Sequence, residues 1–88
     1  MSIVVIGVNH RTGPIDLLER VSLQGEALGK AVTGLVGRAN IREAVVLSTC
    51  NRTEVYAVAE RFHGAYADIR DWFCELGGLV PDDIHGHL

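Results

Sequence analysis

Two short apolar segments, residues 45–47 and 55–58, run into and out of the polar stretch Ser48-Thr49-Cys50-Asn51-Arg52. No other feature limits the chain so much. Both segments are rich in β-branched and aromatic side chains, so each reads as a strand. The polar residues between them suit a hairpin connection of a few residues. Strands over 43–48 and 53–59, paired antiparallel, are therefore expected. Cys50 then sits at the loop tip, although free cysteine behaves as a small hydrophobe and is usually buried. Two readings stand side by side: an inert loop thiol, or a nucleophile. A nearby cation favours the thiolate, which is the reactive form. Arg52 can supply that charge, hold an anionic substrate, or merely pair with Glu54 or Glu43 as a surface ion pair worth little. Thr49 and Asn51 suit a simple turn, and equally suit hydrogen-bond donation to a reacting carbonyl.

The remaining elements follow from pattern. Residues 3–8, Ile-Val-Val-Ile-Gly-Val, are an unbroken apolar run of strand length, the signature of a central strand with both faces covered or nearly so. Asn9-His10-Arg11-Thr12-Gly13 is a polar loop. Pro14 suits the first position of a short helix over 15–21, with Thr12 or Gly13 as its cap. Ser22 can cap a second helix running to about residue 36, with Leu28, Val32 and Leu35 on one face. Gly25, Gly29 and Gly34 weaken it, each by about 1 kcal/mol relative to alanine. Phe62, Tyr66, Ile69, Phe73 and Leu76 recur at helical spacing and predict an amphipathic helix over 62–76, packed through Phe62, Tyr66, Ile69 and Phe73 and ended by Gly77-Gly78. Cys74 lies in that helix as a packed, unreactive thiol. Pro81-Asp82-Asp83 begins a turn, and residues 85–88 start a closing strand that is only partly present.

The order β-α-β-β-α, with that partial closing strand, suits an α+β, ferredoxin-like antiparallel sheet with helices on one face. If the first two strands point the same way with one strand between them, their C-terminal ends lie about 10 Å apart at one sheet edge. That puts Asn9-His10-Arg11 beside the Cys50 loop and allows a cleft between two polar loops. His10 can there orient a substrate or tune Cys50, or be a solvated loop histidine. His63 is expected to be exposed. His85 and His87, two apart, lack the paired spacing typical of zinc ligands, so no metal is expected.

Composition narrows the function classes. Eighty-eight residues make one small domain, and 48% hydrophobic content supports a globular fold. A net charge of −3 argues against bulk neutralisation of nucleic-acid phosphates and leaves room only for a local basic patch. No apolar run reaches the ~18 residues of a membrane span, and no secretory leader pattern is present. Two cysteines are too few for a disulfide scaffold, so a reducing cytoplasm is the simpler expectation. An uncapped end at Leu88 suggests a piece of a longer chain.

Two blocks carry a resemblance: Ser48-Thr49-Cys50-Asn51-Arg52-Thr53-Glu54-Val55-Tyr56, and Gly7-Val8-Asn9-His10-Arg11-Thr12-Gly13-Pro14. Together they resemble glutamyl-tRNA reductase, and residues 1–88 correspond to the N-terminal catalytic domain of that family. The resemblance implies NADPH-dependent reduction of glutamyl-tRNA to glutamate-1-semialdehyde through a cysteine thioester, the first step of five-carbon tetrapyrrole (porphyrin, heme) biosynthesis. It implies Cys50 as nucleophile, with Arg52 holding the free carboxylate of the glutamyl group and Thr49 helping to position it; Asn51 and His10 are expected as further substrate-binding residues from their place in the two loops. It further implies an NADPH-binding domain and a dimerising helical domain outside these residues, and an assisting histidine beyond Leu88. A homodimer and handover of the product to an aminomutase belong to the same expectation. By itself the fragment should lack reductase activity. Gly13 and Leu18 stand where the family commonly has alanine and arginine; the first change can loosen the start of the helix, and the second removes a charge near the cleft.

Two other classes fit the same residues. One is a ferredoxin-like regulatory module that binds a small molecule in the same two loops without catalysis. The other is an interaction domain that uses a sheet edge for β-augmentation.

Overall fold

A computed structural model describes residues 2–88. The elements are β1 (Ser2–Asn9), α1 (Ile15–Val21), α2 (Gly25–Val36), β2 (Glu43–Ser48), β3 (Arg52–Ala59), α3 (Phe62–Gly77) and α4 (Pro81–Ile84), closed by a 3-10 turn over His85–His87. The three strands form one antiparallel sheet in the order β1-β3-β2. The fold is α+β, consistent with a truncated ferredoxin-like arrangement, and the core lies between one sheet face and the helices. Since β1 and β2 both run opposite to β3, they are parallel to each other and end at the same sheet edge.

The central strand is β3, not β1. Its inward residues Thr53, Val55, Ala57 and Ala59 are all buried. On β1, Val4, Ile6 and Val8 are buried, whereas Ile3 is 76% and Val5 55% exposed. An apolar run of strand length therefore marks an edge strand with one covered face. Alternation is present in the burial but hidden in the composition, because both faces carry aliphatic residues.

The helical face of α3 is also turned from its expected position. Ala65, Ile69, Trp72, Phe73 and Cys74 are buried, while Phe62 is 55% exposed and Tyr66 only partly covered. Ala65 is fully buried, and Trp72 finds an acceptor for its indole N–H in the Ala31 carbonyl at 2.8 Å, which a buried indole needs. Phe73 packs edge-on against it at 5.1 Å. The helix stops at Gly78, whose φ of +62° is the left-handed cap position and whose N–H reaches the Cys74 carbonyl.

Smaller corrections concern the ends of elements. Pro14 precedes the first turn of α1 in extended conformation, and no side chain caps that helix. Ser22 ends α1, and α2 starts only at Gly25. Residues 85–88 do not begin a strand. Ile84 is fully buried and anchors α4, and the His-Gly-His that follows winds into the 3-10 turn; it has no β-branched residue to favour extension. That turn brings the His87 Nδ1 to 2.6 Å from the Thr12 carbonyl, so the end of the described chain braces the loop after β1.

Candidate functional site

The site is built on a buried hydroxyl. Thr53 is the only buried polar residue among the described residues, at 1% exposure in the middle of an apolar strand face. Its Oγ1 donates to the Val21 carbonyl at 3.2 Å and lies 2.9 Å from the Ser48 Oγ directly across the hairpin. With the threonine proton committed to Val21, Ser48 donates to Thr53, and Ser48 in turn accepts from the Leu23 amide at 2.9 Å. Every group in this relay is satisfied, as burial requires. The relay ties the base of the hairpin to the junction between α1 and α2.

Above it, Thr49, Cys50 and Asn51 make the turn. The Thr49 amide donates to the Arg52 carbonyl at 2.7 Å, and the Asn51 amide to the Thr49 Oγ1 at 3.2 Å. These bonds leave Cys50 exposed at the tip. The loop after β1 is folded as tightly. The Asn9 Oδ1 accepts from the amides of Arg11 at 2.8 Å and Thr12 at 3.1 Å, and the Asn9 amide donates to the Thr12 Oγ1 at 3.0 Å. A bond from the His10 amide to the Asn51 carbonyl, 2.9 Å, joins the two loops. Gly7 permits this closeness, since a Cβ there would lie 2.6 Å from the Thr53 carbonyl oxygen and 2.7 Å from the Glu54 Cα. The expected meeting of two loops distant in sequence is thus realised.

Between them lies an open cleft of about 530 Å³. Asn9, His10 and Arg11 line one side and Thr49, Asn51 and Arg52 the other, with Glu54 completing it. Cys50 is exposed on the same turn but is not among the lining residues. Two arginines against one carboxylate give the cleft a net charge of +1 in a chain of −3. Arg52 sits 3.7 Å from the Glu54 carboxylate and its side chain is 49% exposed, so this pair is weak. Glu54 also accepts from the Tyr56 hydroxyl at 3.1 Å.

The other singled-out residues fall elsewhere. Cys74 is buried, and burial pushes its thiol pKa up, reinforced by the neighbouring Asp71 carboxylate. Leu18 is 4% exposed in the core and is not among the residues that line the cleft, so the position expected near the cleft is a core position instead. A Cβ on Gly13 would come within 2.9 Å of Val8 Cγ2 and 3.1 Å of Leu17 Cδ2; alanine there presses on packed side chains. The His85 Nδ1 is 2.8 Å from the Tyr66 hydroxyl, and His87 is engaged by Thr12. His63 is exposed beside Phe62. Among the described residues, no group of three or more acidic, histidine or cysteine side chains is placed to hold a metal ion. Sequence reasoning missed the roles of Ser48 and Thr53 in the relay. A detectable signal existed: Thr53 occupies an inward position in a strand whose other inward residues are Val and Ala.

Comparison with known proteins accords with this geometry. Residues 6–88 match the family described as Glutamyl-tRNAGlu reductase, N-terminal domain. The glutamyl-tRNA reductase of Frankia alni is 50% identical over all 88 residues, and that of Corynebacterium glutamicum is 39% identical over the same length. The enzyme of that name from Thermobifida fusca is 41% identical over 87 residues. The chain spans 19% of the length of the first two relatives and 18% of the third. The match takes in both polar loops and the sheet that carries them, and the chain belongs to the glutamyl-tRNA reductase N-terminal domain family.

Proposed function

We propose that this domain carries the acyl-transfer chemistry of a glutamyl-tRNA reductase, with Cys50 as the nucleophile. The observation that carries the reading is the placement of an exposed thiol on a rigidly bonded turn, flanked by residues that line a positively charged cleft. The Cys50 thiolate attacks the carbonyl carbon of the glutamyl ester. The bond from that carbon to the ribose oxygen breaks, the oxygen leaves with a proton, and a thioester remains on Cys50. A thioester accepts hydride more readily than an ester, which is the chemical reason for a cysteine here.

Arg52 selects the glutamyl group. Its half-exposed pair with Glu54 is worth at most about 1 kcal/mol, whereas a charge-assisted bond to a substrate carboxylate is worth about 1.5–3 kcal/mol. The weak pair with Glu54 therefore leaves the guanidinium free to take a substrate carboxylate in a two-pronged geometry. Thr49 and Asn51 position the acyl group, and His10 stands at the opposite wall.

Reduction to glutamate-1-semialdehyde uses NADPH. This domain does not fit that cofactor: its sheet is antiparallel throughout, and Gly7 lies inside a strand, not in the glycine-rich turn between a parallel strand and a helix that cradles a dinucleotide. In the proposed reading NADPH is held by another domain of a cytoplasmic, homodimeric enzyme, which opens tetrapyrrole synthesis and hands its product to an aminomutase.

The test is mass spectrometry of the enzyme carrying this domain after mixing with glutamyl-tRNA in the absence of NADPH. A glutamyl adduct on Cys50, released by hydroxylamine, is expected. An adduct on another residue, or none, overturns the reading.

A further inference from the structure

The cleft holds a second cation that the acyl-transfer step does not use. Arg38, Arg42, Arg52 and Arg70 each pair with a carboxylate, Glu75, Glu60, Glu54 and Asp71 respectively. Arg11 is exposed, lines the cleft, and makes no ion pair among the described residues. Arg20, Lys30 and Arg61 also lack one, but none of them lines this cleft.

The loop presenting Arg11 is fixed from three sides. Its own amide is bonded to the Asn9 Oδ1, the preceding His10 amide to Asn51, and the following Thr12 carbonyl to the His87 ring. The backbone that presents the guanidinium is thus already ordered, and only the side chain remains to be fixed when an anion binds. Arginine also matches the oxygens of a phosphate in a two-pronged geometry.

The cleft is also larger than the acyl group needs. Volumes of several hundred Å³ accommodate drug-sized ligands, and about 530 Å³ is open here. A glutamyl group fills only part of that. In an aminoacyl ester the acyl carbon is attached to the terminal ribose, so the 5′-phosphate of the same nucleotide lies one nucleotide's length from the attacking sulfur.

Resting on the thioester reading, we infer that Arg11 binds the 5′-phosphate of the terminal nucleotide of the acylated strand. Arg52 then reads the amino acid and Arg11 the nucleic acid to which it is esterified. A net-acidic domain thereby engages RNA through one local contact, without bulk neutralisation.

The test compares single-turnover acylation of Cys50 in the enzyme carrying this domain, using glutamyl-tRNA, 3′-O-glutamyl-AMP and 3′-O-glutamyl-adenosine. The wild-type enzyme should prefer the phosphorylated nucleotide by about tenfold in kcat/KM, expressed in KM, as expected for one charge-assisted hydrogen bond. Arg11→Ala should level the two nucleotides, and Arg11→Lys should keep most of the preference. With glutamyl-tRNA, the dependence of log KM on log salt should weaken by about 0.7 in Arg11→Ala, the value for one single-strand phosphate contact. A change in folding alone moves neither the phosphate preference nor the salt slope. If Arg11→Ala retains both, or if the wild type acylates both nucleotides equally, the assignment of Arg11 is wrong and the thioester reading stands. If Cys50 of the wild type is acylated by none of the three substrates, the thioester reading fails and this assignment falls with it.

Discussion

The two cysteines occupy opposite environments about which the same side chain can report. Cys50 stands on the turn between β2 and β3, where the backbone is bonded within the turn and to His10, and the side chain is left to solvent. Cys74 lies in the last turns of α3, buried in the core that also holds Trp72 and Phe73. A helix satisfies its own backbone, so its apolar face can be given wholly to packing. A tight turn at a sheet edge instead gathers polar groups from two loops around whatever it exposes. Fold position leaves the first thiol open to a reactant and closes off the second.

The comparison is broken most severely at Cys50. In the enzyme carrying this domain, Cys50→Ser should lower acyl transfer from glutamyl-tRNA by at least about three orders of magnitude, as loss of a covalent nucleophile does. Cys74→Ser should leave the rate nearly unchanged. Single-turnover kinetics on the two variants measures this, and near-equal rates would erase the distinction drawn between the thiols.

Arg52→Lys keeps the charge but loses the planar fork. Acyl transfer should fall by about ten- to a hundredfold. Unchanged kinetics would reduce Arg52 to the partner of Glu54.

The foundation of the turn can be tested separately from its chemistry. Thr53→Val keeps the shape but removes the hydroxyl, leaving the Val21 carbonyl without its donor and Ser48 without its acceptor. Chemical denaturation should show a loss of about 1–3 kcal/mol, with Thr53→Ser closer to wild type. Equal stability of the Val and Thr proteins would mean that the relay contributes nothing.

The smallest effect sharpens the contrast from the buried side. Because burial, then Asp71, raises the Cys74 pKa in the folded state, the folded protein keeps the proton longer than the unfolded chain does. Its contribution to stability is complete below the unfolded thiol's pKa of about 8.5. It is lost as pH rises from there through the raised folded value. Denaturation midpoints of the wild type should therefore decline above about pH 8.5 more steeply than those of Cys74→Ala. Parallel declines would show that Cys74 ionises as freely folded as unfolded.

Much of this arrangement is legible in the sequence. The hairpin, α1, the extent of α3 and the meeting of Asn9-His10-Arg11 with the Cys50 turn follow from local patterns. So does the burial of Cys74. The failures share a cause. Residues 3–8 are aliphatic on both faces, so periodicity could not tell a central strand from an edge. On α3, Phe62 and Tyr66 have the size of core residues, but Ala65 and Trp72 are the ones buried, the latter bonded to α2.

What the sequence determined by itself was therefore chemical and local: a reactive residue type in a turn between two strands, a second polar loop after the first strand, and helices with an apolar side. These are set by propensity and periodicity over a few residues. The tertiary structure decided which faces were covered, that β3 lies between β1 and β2, that Thr53 carries a buried hydroxyl relay, and that His87 braces the loop of Arg11. Those outcomes depend on contacts between residues as far apart as Thr12 and His87. Such contacts are chosen by the fit of surfaces to one another, and no short stretch of sequence encodes that fit.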